Sequence, residues 1–324
     1  MKPFNTRYVL TVGAGLAAAV IAGCASTRAT EPYGLSPRLI SEVRHAAPVA
    51  SHGPARQTVA LVLGGGGLRG FAHIGVLRAL EEAGIKPDIV VGTSAGAVVG
   101  AAYASGMAPA RIESAARDVK LSSLVDLTVS AGGIMRGKSL ANWVDTVTSS
   151  VPIEKFPLRF GAVATDLETA QAVLLDTGSA GSAIQASAAV PGVTVPVPYK
   201  KGHLVDGGIT SLVPVRFARA MGADYVIAVD IFCHGPRSEG LAAPSVIHRV
   251  MHAQSCLVAK HEMAEADVLI APAVRGPGIS AKDEQEGAIL AGYEAARAAL
   301  KAASRPSPAR WQAVRRPGTW SASA

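Results

Sequence analysis

Short apolar runs and stretches of helical periodicity alternate along the first part of the domain. Residues 58–63 (TVALVL) form a continuous apolar run rich in β-branched side chains, which is typical of a strand buried on both faces. From Gly70 onward the apolar residues recur at helical spacing as far as Gly84, which stands where a helix C-terminus favours glycine. A second buried run, residues 89–91 (IVV), is followed by a helix of small residues to about Ser105. This strand–helix–strand–helix order requires right-handed crossovers and predicts a parallel sheet.

The same two periodicities continue through the rest of the chain, and no internal repeat is visible. They predict an α/β domain of three layers, with a mostly parallel central sheet and helices on both faces. Further strands are expected at residues 159–164, 172–176 and 225–230. Further helices are expected at residues 139–149, 213–221, 244–264 and 283–302.

The N-terminus has the pattern of a secretory signal. Two basic residues precede an apolar run, residues 8–21, that is too short to hold a bilayer span but suits the apolar region of a signal peptide. The run ends in Ile21-Ala22-Gly23-Cys24, and small residues before a cysteine resemble the lipobox of bacterial lipoproteins. We therefore predict a signal peptide at 1–23 and a fatty-acylated Cys24 that anchors the protein in a bacterial cell envelope, at the outer membrane facing the periplasm. An uncleaved anchor, or an ordinary signal with a chance cysteine, is the alternative reading.

Composition divides the rest of the chain into three parts. Residues 24–56 carry scattered Pro, Ser, Thr and His without sustained periodicity, which predicts a flexible spacer behind the lipidated cysteine. Residues 57–302 are expected to form the folded domain. Residues 303–324 are rich in Pro, Ser and Arg and predict a basic, disordered tail.

The formal charge of +7 is carried outside the domain. Two of the surplus positive charges lie in residues 1–23, and the other five lie in residues 301–316, so residues 24–300 are formally neutral. A nucleic-acid partner is therefore not expected, because a nucleic-acid surface in the fold would need a local excess of Lys and Arg. The composition, with 49% hydrophobic and only 17% charged residues, excludes a disordered chain. No pattern indicates an oligomeric state.

Two cysteines remain beyond the lipobox, Cys233 and Cys256. Two buried thiols are the default expectation, and pairing in an oxidising periplasm is the alternative that sequence alone leaves open. His248, His252 and Cys256 follow one another at i, i+4 spacing on one helix face and raise the question of a metal site. Their spacing matches no compact zinc pattern, so we expect neither a metal nor another cofactor.

Residues 92–96 (GTSAG) match G-x-S-x-G between a predicted buried strand and a predicted helix. In that setting the serine stands on a strained turn with its hydroxyl projecting, which is the arrangement of a nucleophile. A rival interpretation is a membrane span, because residues 89–110 are uncharged. Their high Gly, Ser and Thr content makes such a span unfavourable.

A glycine-rich loop, residues 64–70 (GGGGLRG), precedes the first predicted helix. Read from Gly65 it satisfies G-x-G-x-x-G, so a dinucleotide site is one alternative, but the acidic residue expected after the second strand is missing. Consecutive glycines before a helix aim backbone N–H groups at one point, where a phosphate or an oxyanion binds. A serine on the following strand–helix unit favours the oxyanion.

A serine nucleophile needs a base, and Asp206 in residues 204–208 (LVDGG) is the best candidate. The two glycines after it allow a close approach of backbone at an active centre. Taken alone, an Asp-Gly-Gly sequence is more often a β-turn, so this assignment depends on the other motifs.

Together these motifs resemble the patatin-like phospholipase family over about residues 57–230, and the chain shows no departure at a catalytic position of the family pattern. The resemblance implies a patatin-like three-layer fold and a Ser–Asp dyad, with Ser94 as the nucleophile and Asp206 as its base. It implies oxyanion donors at Gly65, Gly66 and Gly67, with Arg69 supporting the loop or the anion. The matching segments are residues 65–70, 71–75, 92–96, 164–167, 186–191 and 206–208.

The implied activity is hydrolysis of a phospholipid, a lysophospholipid or another fatty-acyl ester at a membrane. One alternative mechanism is a Ser-His-Asp triad with His203, His234 or a later histidine as the base. For His73 we expect instead a buried hydrogen bond that ties its helix to the glycine loop. A different class of function is a binding or scaffold lipoprotein on a degenerate hydrolase fold.

Overall fold

The computed structural model describes residues 34–43, 57–236, 241–275 and 282–303. The strands are β1 Arg38–Leu39, β2 Val59–Leu63, β3 Ile89–Thr93, β4 Leu127–Ser130, β5 Gly133–Met135, β6 Arg159–Asp166, β7 Gln171–Leu175, β8 Val197–Tyr199, β9 Gly202–Asp206, β10 Tyr225–Val229 and β11 Val268–Ile270. The α-helices are α1 Phe71–Glu82, α2 Ala95–Ala104, α3 Pro109–Asp118, α4 Lys138–Val147, α5 Ala180–Ser187, α6 Val215–Ala220, α7 Ala243–Ala264 and α8 Lys282–Ala303.

The central sheet has the strand order β1-β7-β6-β3-β2-β10-β11, and β9 also pairs with β6 and with β8. Strands β6, β3, β2, β10 and β11 run parallel to one another, whereas β1, β7, β8 and β9 form antiparallel pairs. Strands β4 and β5 form a separate hairpin. The mostly parallel α/β sheet predicted from the sequence is therefore confirmed.

Alternating residues of β2 enter two different apolar layers, as expected for a strand covered on both faces. Leu61 and Leu63 pack into the layer that also contains α1, α2 and α8. Ala60 and Val62 pack into the opposite layer with Phe217 of α6. These four side chains of β2 are fully buried. Their burial places the ends of the parallel strands inside a rigid three-layer frame.

Several short elements escape the sequence patterns: α3, α5, the β4–β5 hairpin and β11. Helix α5 consists mainly of small residues, so it has no wide apolar stripe for a periodicity search to detect. Its start does carry a recognisable signal, because Ser179 caps it by accepting a hydrogen bond from the Ser182 N–H at 3.0 Å. Strand β11 has three residues and is too short to predict from composition.

The predicted spacer is wrong for residues 34–43, which pack onto the domain. Strand β1 pairs antiparallel with β7, and Arg38 forms an ion pair with Asp176. Leu35 and Val43 are buried in the core. The reason is tertiary, since an edge strand offers hydrogen bonds to any extended segment that reaches it. The predicted signal peptide, Cys24, the remaining spacer residues and the tail after Ala303 lie outside the described residues.

The rival membrane span at residues 89–110 does not form. That stretch is divided into β3, the Ser94 turn, α2 and the start of α3. Within the four described ranges, none of the helices combines the length and the apolar character that crossing a bilayer requires.

Cys233 and Cys256 form a disulfide with a Cα–Cα distance of 5.4 Å, so the default expectation of two free thiols is wrong. The bond joins the loop after β10 to the middle of α7. It also removes Cys256 from the metal-ligand set considered for that helix. Over the described part of the chain, no group of three or more His, Cys, Asp or Glu side chains is arranged to hold a metal ion.

Candidate active site

Ser94 occupies the sharp turn between the end of β3 and the start of α2. Its backbone has φ 52° and ψ −121°, a conformation that non-glycine residues rarely adopt and that stores strain. The turn forms because α2 lies directly against the end of β2: a Cβ atom on Gly96 would stand 2.0 Å from the Leu63 carbonyl oxygen. The small residues of the G-x-S-x-G pattern are therefore a packing requirement of this turn.

Two hydroxyl groups hold the serine turn in place. The Ser94 N–H donates to the Ser187 Oγ at 2.9 Å, and the Ser187 hydroxyl donates to the Val163 carbonyl at 2.6 Å. The Thr93 hydroxyl donates to the Ser211 carbonyl at 2.8 Å. Ser187 lies in a segment that carries the family resemblance, but its role as an anchor of the nucleophile turn was not evident from sequence.

Asp206 ends β9, where it pairs with Ala164 of β6. Its N–H donates to the Ala189 carbonyl at 2.9 Å, and its own carbonyl accepts from the Thr165 hydroxyl at 2.9 Å. The Gly208 N–H donates to the Asp206 Oδ1 at 2.7 Å. The backbone and one carboxylate oxygen of Asp206 are thus fixed by the fold.

The side chains of Ser94 and Asp206 meet although they lie far apart in the sequence. Both are almost completely buried, with 7% and 8% of their surface exposed. Burial raises the pKa of Asp206 to about 6, and the hydrogen bonds from the Gly208 amide and the Ser94 side chain oppose this rise. A carboxylate with that pKa is ionised at neutral pH and accepts a proton more readily than an ordinary aspartate.

One of the three glycine amides that the resemblance implies as oxyanion donors is already engaged in a hydrogen bond. The Gly65 N–H already donates to the Leu212 carbonyl at 3.0 Å, so it is engaged in holding the loop. In the described part of the chain, the amides of Gly66 and Gly67 have no hydrogen-bond acceptor. Gly67 has φ +59°, a conformation that favours glycine, and this turns the loop into the helix that follows.

Arg69 anchors the glycine loop to two segments near the end of the domain. Its Nε donates to the Val274 carbonyl at 3.2 Å, and its guanidinium lies 5.2 Å from the centre of the Phe232 ring. Burial lowers the pKa of Arg69, and the negative charge of Asp230 opposes that effect. The guanidinium therefore remains a fixed positive charge beside the loop.

The residues predicted for the catalytic centre line one cavity of about 660 Å³: Ser94, Asp206, Gly65, Gly66, Gly67 and Arg69. The other wall of the cavity was not predicted from the sequence. It comes from the loop after β10, from α7 and from the segment after β11. A signal for part of it was present, because the α7 residues involved have the i, i+3, i+7 spacing of one helix face. The missed wall residues are Phe232, His248, Met251, Ser255 and Arg275.

Two of the histidines considered as bases, His203 and His234, lie away from the cavity, whereas the later histidine His248 lines it. His73 is fully buried and its Nε2 donates to the Gly64 carbonyl at 2.8 Å, which confirms the hydrogen bond expected between helix and loop. Burial lowers the pKa of His73 to about 4. His203 faces Glu168 at 3.4 Å, and the His234 Nδ1 donates to Asp230 at 2.6 Å. None of these three lines the cavity of Ser94.

The strained serine turn, the buried aspartate and the glycine loop line one cavity of a mostly parallel α/β fold. The model of the patatin-like phospholipase family matches residues 61–219, a range that contains Ser94, Asp206 and the glycine loop. The chain belongs to this family through that domain.

Relatives of known sequence support the same assignment. An uncharacterized NTE family protein of Mycobacterium tuberculosis is 38% identical over 185 residues, which cover 55% of this chain and 50% of that protein. Human patatin-like phospholipase domain-containing protein 6 is 38% identical over 182 residues, covering 54% of this chain and 13% of that protein. The chain thus spans about half the length of the mycobacterial relative and a much smaller share of the human one.

Among solved structures, the crystal structure of VipD from Legionella pneumophila is similar, with a TM-score of 0.54. The match covers 87% of this chain and 72% of VipD at 14% sequence identity. At that identity the likeness concerns the fold, a mixed and mostly parallel sheet with helices on both sides.

Proposed function

We propose that this protein is a serine lipid acyl hydrolase that uses a Ser94–Asp206 dyad. The observation that carries the proposal is the meeting of the two side chains: a strained serine hydroxyl lies within hydrogen-bonding reach of a buried carboxylate whose pKa is raised to about 6. Both groups line a cavity large enough for an acyl ester. Membership of the patatin-like phospholipase family supports the same chemistry.

In the proposed reaction, the Asp206 carboxylate takes the Ser94 proton as the serine oxygen attacks the ester carbonyl carbon. The carbonyl oxygen then carries the negative charge of a tetrahedral intermediate. Protonated Asp206 donates its proton to the departing alcohol, which leaves an acyl-serine. Water, deprotonated by Asp206, attacks the acyl-serine, and the returning proton restores the Ser94 hydroxyl as the fatty acid leaves.

We assign the oxyanion donors to the amides of Gly66 and Gly67. Preorganised N–H groups stabilise the developing charge without reorganising during the reaction, and each such donor contributes about 10²- to 10³-fold in rate. Gly65 contributes indirectly, because its bond to Leu212 holds the loop beside the cavity. Arg69 adds a positive charge near the same loop.

Apolar surface in and beside the cavity supports a lipid substrate. Inside, the walls include Val190, Leu212 and Met251. Outside, Ile247 and Val250 of α7 are exposed to solvent although they are large and apolar. A phospholipid, a lysophospholipid or another fatty-acyl ester places a long chain against such surfaces. Anchoring through a lipidated Cys24 in the cell envelope stays a prediction, and it would keep enzyme and membrane substrate together.

A fluorophosphonate probe tests whether the serine is a nucleophile. We expect covalent labelling of the wild-type protein, with fluoride displaced by the Ser94 oxygen, and no labelling of Ser94→Ala. Ser255→Ala is the matched control, because Ser255 lines the same cavity and its variant should remain labelled. No labelling of the wild type would instead favour a binding or scaffold protein on this fold, and labelling that persists in Ser94→Ala would place the nucleophile at another residue.

Hydrolysis is expected to decline as the pH is lowered through about 6, the pKa of Asp206. Below that pH the carboxyl group is already protonated and is too weak a base to take the serine proton, so kcat/KM falls about tenfold per pH unit. Above it the ionised base predominates and the rate levels off. The check is kcat/KM for a soluble ester between about pH 4.5 and 8, with the Ser94→Ala rate subtracted at each pH. A flat profile over this range would argue against Asp206 as the base.

A further inference from the structure

Two arginines and a histidine that carry N–H donors line the active-site cavity. Arg69, His248 and Arg275 contribute to its wall, whereas Asp206, the proposed base, is the one acidic side chain among the described residues that line it. The family motifs account for Arg69 alone. His248 and Arg275 lie beyond the residues matched by the family model.

Arg69 and His248 contact one shared neighbour, and Arg275 directly follows a residue that Arg69 contacts. Arg69 lies over the Phe232 ring at 5.2 Å, and the His248 ring meets the same Phe232 edge-on, with 6.2 Å between ring centroids. The Arg69 Nε donates to the carbonyl of Val274, the residue directly before Arg275. Arg69, His248 and Arg275 therefore gather around Phe232 and the end of the β11 segment.

Arg69 retains donors that nothing in the described chain uses. Its Nε bond to Val274 is made, but its two terminal NH₂ groups have no acceptor among the described residues. The guanidinium is partly buried and lines the cavity. A planar pair of unused N–H donors in such a place matches the oxygens of a phosphate or carboxylate.

Neighbouring positive charge disfavours protonation of His248. The pKa of His248 is lowered by partial burial and by the positive charges of Arg69 and His252. An anion bound near Arg69, His248 and Arg275 would offset that repulsion and accept hydrogen bonds from all three groups.

We propose that His248 and Arg275, together with Arg69, form an anion subsite that binds the phosphate of a headgroup with net negative charge. This inference rests on the proposed function, because the subsite would select among acyl esters cleaved at Ser94. It favours an anionic lysophospholipid, such as a lysophosphatidylglycerol, over a zwitterionic one that carries a quaternary ammonium. An ammonium needs a carboxylate or an open aromatic face, but the cavity offers only the catalytic Asp206, and Phe232 already faces Arg69.

The kinetic test uses three lysolipids with the same acyl chain, each kept in monomeric form: lysophosphatidylglycerol, lysophosphatidylcholine and uncharged monoacylglycerol. For the wild type we expect kcat/KM to be about tenfold higher for the anionic lipid than for the zwitterionic one, the size of one charge-assisted hydrogen bond. His248→Gln and Arg275→Gln should each lower kcat/KM for lysophosphatidylglycerol about tenfold and leave monoacylglycerol within about twofold.

Arg249→Gln is the matched control. Arg249 follows His248 on the same helix but does not line the active-site cavity, so Arg249→Gln removes one positive charge from α7 outside the subsite. For this variant, kcat/KM for each of the three lipids should stay within about twofold of the wild-type value. Equal wild-type rates for the anionic and zwitterionic lipids, or variants that lower all three rates alike, would overturn the proposal.

A binding measurement separates this inference from the proposed hydrolase activity. Calorimetry with the Ser94→Ala variant should show tighter binding of glycerophosphoglycerol than of glycerophosphocholine. Adding Arg275→Gln to that variant should weaken the binding of glycerophosphoglycerol about tenfold. Selective binding without hydrolysis in the wild type would refute the hydrolase and retain the subsite. Hydrolysis with no headgroup selectivity in either measurement would refute the subsite and retain the hydrolase.

Discussion

Replacing Asp206 with Asn is expected to lower ester hydrolysis at least about a thousandfold, since a positioned general base contributes roughly 10²- to 10⁴-fold and serves both steps here. The amide has nearly the shape of the carboxylate, and its oxygen still accepts the Gly208 N–H bond. What it lacks is the capacity to take the Ser94 proton. The measurement is kcat/KM for a short-chain ester, with Ser94→Ala as the reference for complete loss.

The same substitution should make the protein more stable at neutral pH. The pKa of Asp206 is raised from 3.8 to about 6 in the folded state, so the ionised carboxylate destabilises the fold above about pH 4. The full penalty, on the order of 3 kcal/mol, is reached above pH 6. Urea unfolding should therefore show Asp206→Asn more stable than wild type at pH 8, with the difference disappearing near pH 4.

Asp166→Asn is the control for this pair of effects. Asp166 is also a buried aspartate, on the neighbouring strand β6, but it bonds the Thr169 and Tyr199 hydroxyls and does not line the cavity. Its variant should retain activity within about threefold and should show no gain in stability. If Asp206→Asn kept near-normal turnover while remaining folded, Asp206 would not be the base and a histidine mechanism would have to be considered again.

Gly96→Ala is expected to destabilise the fold by about 3 kcal/mol or more and to abolish most activity in whatever folds. The added Cβ would stand 2.0 Å from the Leu63 carbonyl oxygen and 2.7 Å from the Gly64 carbonyl oxygen. Both are backbone atoms of a buried strand and its loop, so neither moves without shifting the frame. Relief of the clash would push the glycine loop away from Ser94. Soluble yield, urea unfolding and kcat/KM report the effect.

Gly100→Ala provides the comparison one turn further along the same helix. There the nearest atoms are side-chain carbons of Val90 and Phe160, at 3.1 and 3.2 Å, and these adjust more easily than backbone. The gain of about 1 kcal/mol in helix propensity offsets part of the crowding, so a net change within about 1 kcal/mol is expected. Equal losses from the two substitutions would mean that α2 is intolerant as a whole and that the strand contact at Gly96 is not special.

Much of the fold could be predicted from the sequence because its buried strands are continuous apolar runs. The run at residues 58–63 and the triplet at 89–91 mark β2 and β3, and the helix between them has clear periodicity. Elements that are short or made of small residues, such as α5 and β11, could not be predicted from apolar runs. Nor could the structure of residues 34–43, because their pairing with β7 has no local signature.

Some features of the candidate site could likewise be recognised from the sequence and others could not. The Ser94 turn and the glycine loop are recognisable because each depends on neighbours within a few residues. The engagement of the Gly65 amide by Leu212 could not be foreseen, because the acceptor comes from a remote segment. The part of the cavity wall formed by α7 was likewise not predicted. That helix lines the cavity, and the disulfide between Cys233 and Cys256 joins it to the loop after β10.

The sequence by itself determined the parallel α/β frame and the strained serine turn, since these depend on local sterics and on the burial of apolar runs, and its motifs carried the resemblance to the family. Only the tertiary structure decided which amides remain available, which carboxylate faces Ser94 and which cations share the cavity. Hydrogen bonding and desolvation act through space between segments remote in the chain, and residue order alone does not specify their distances.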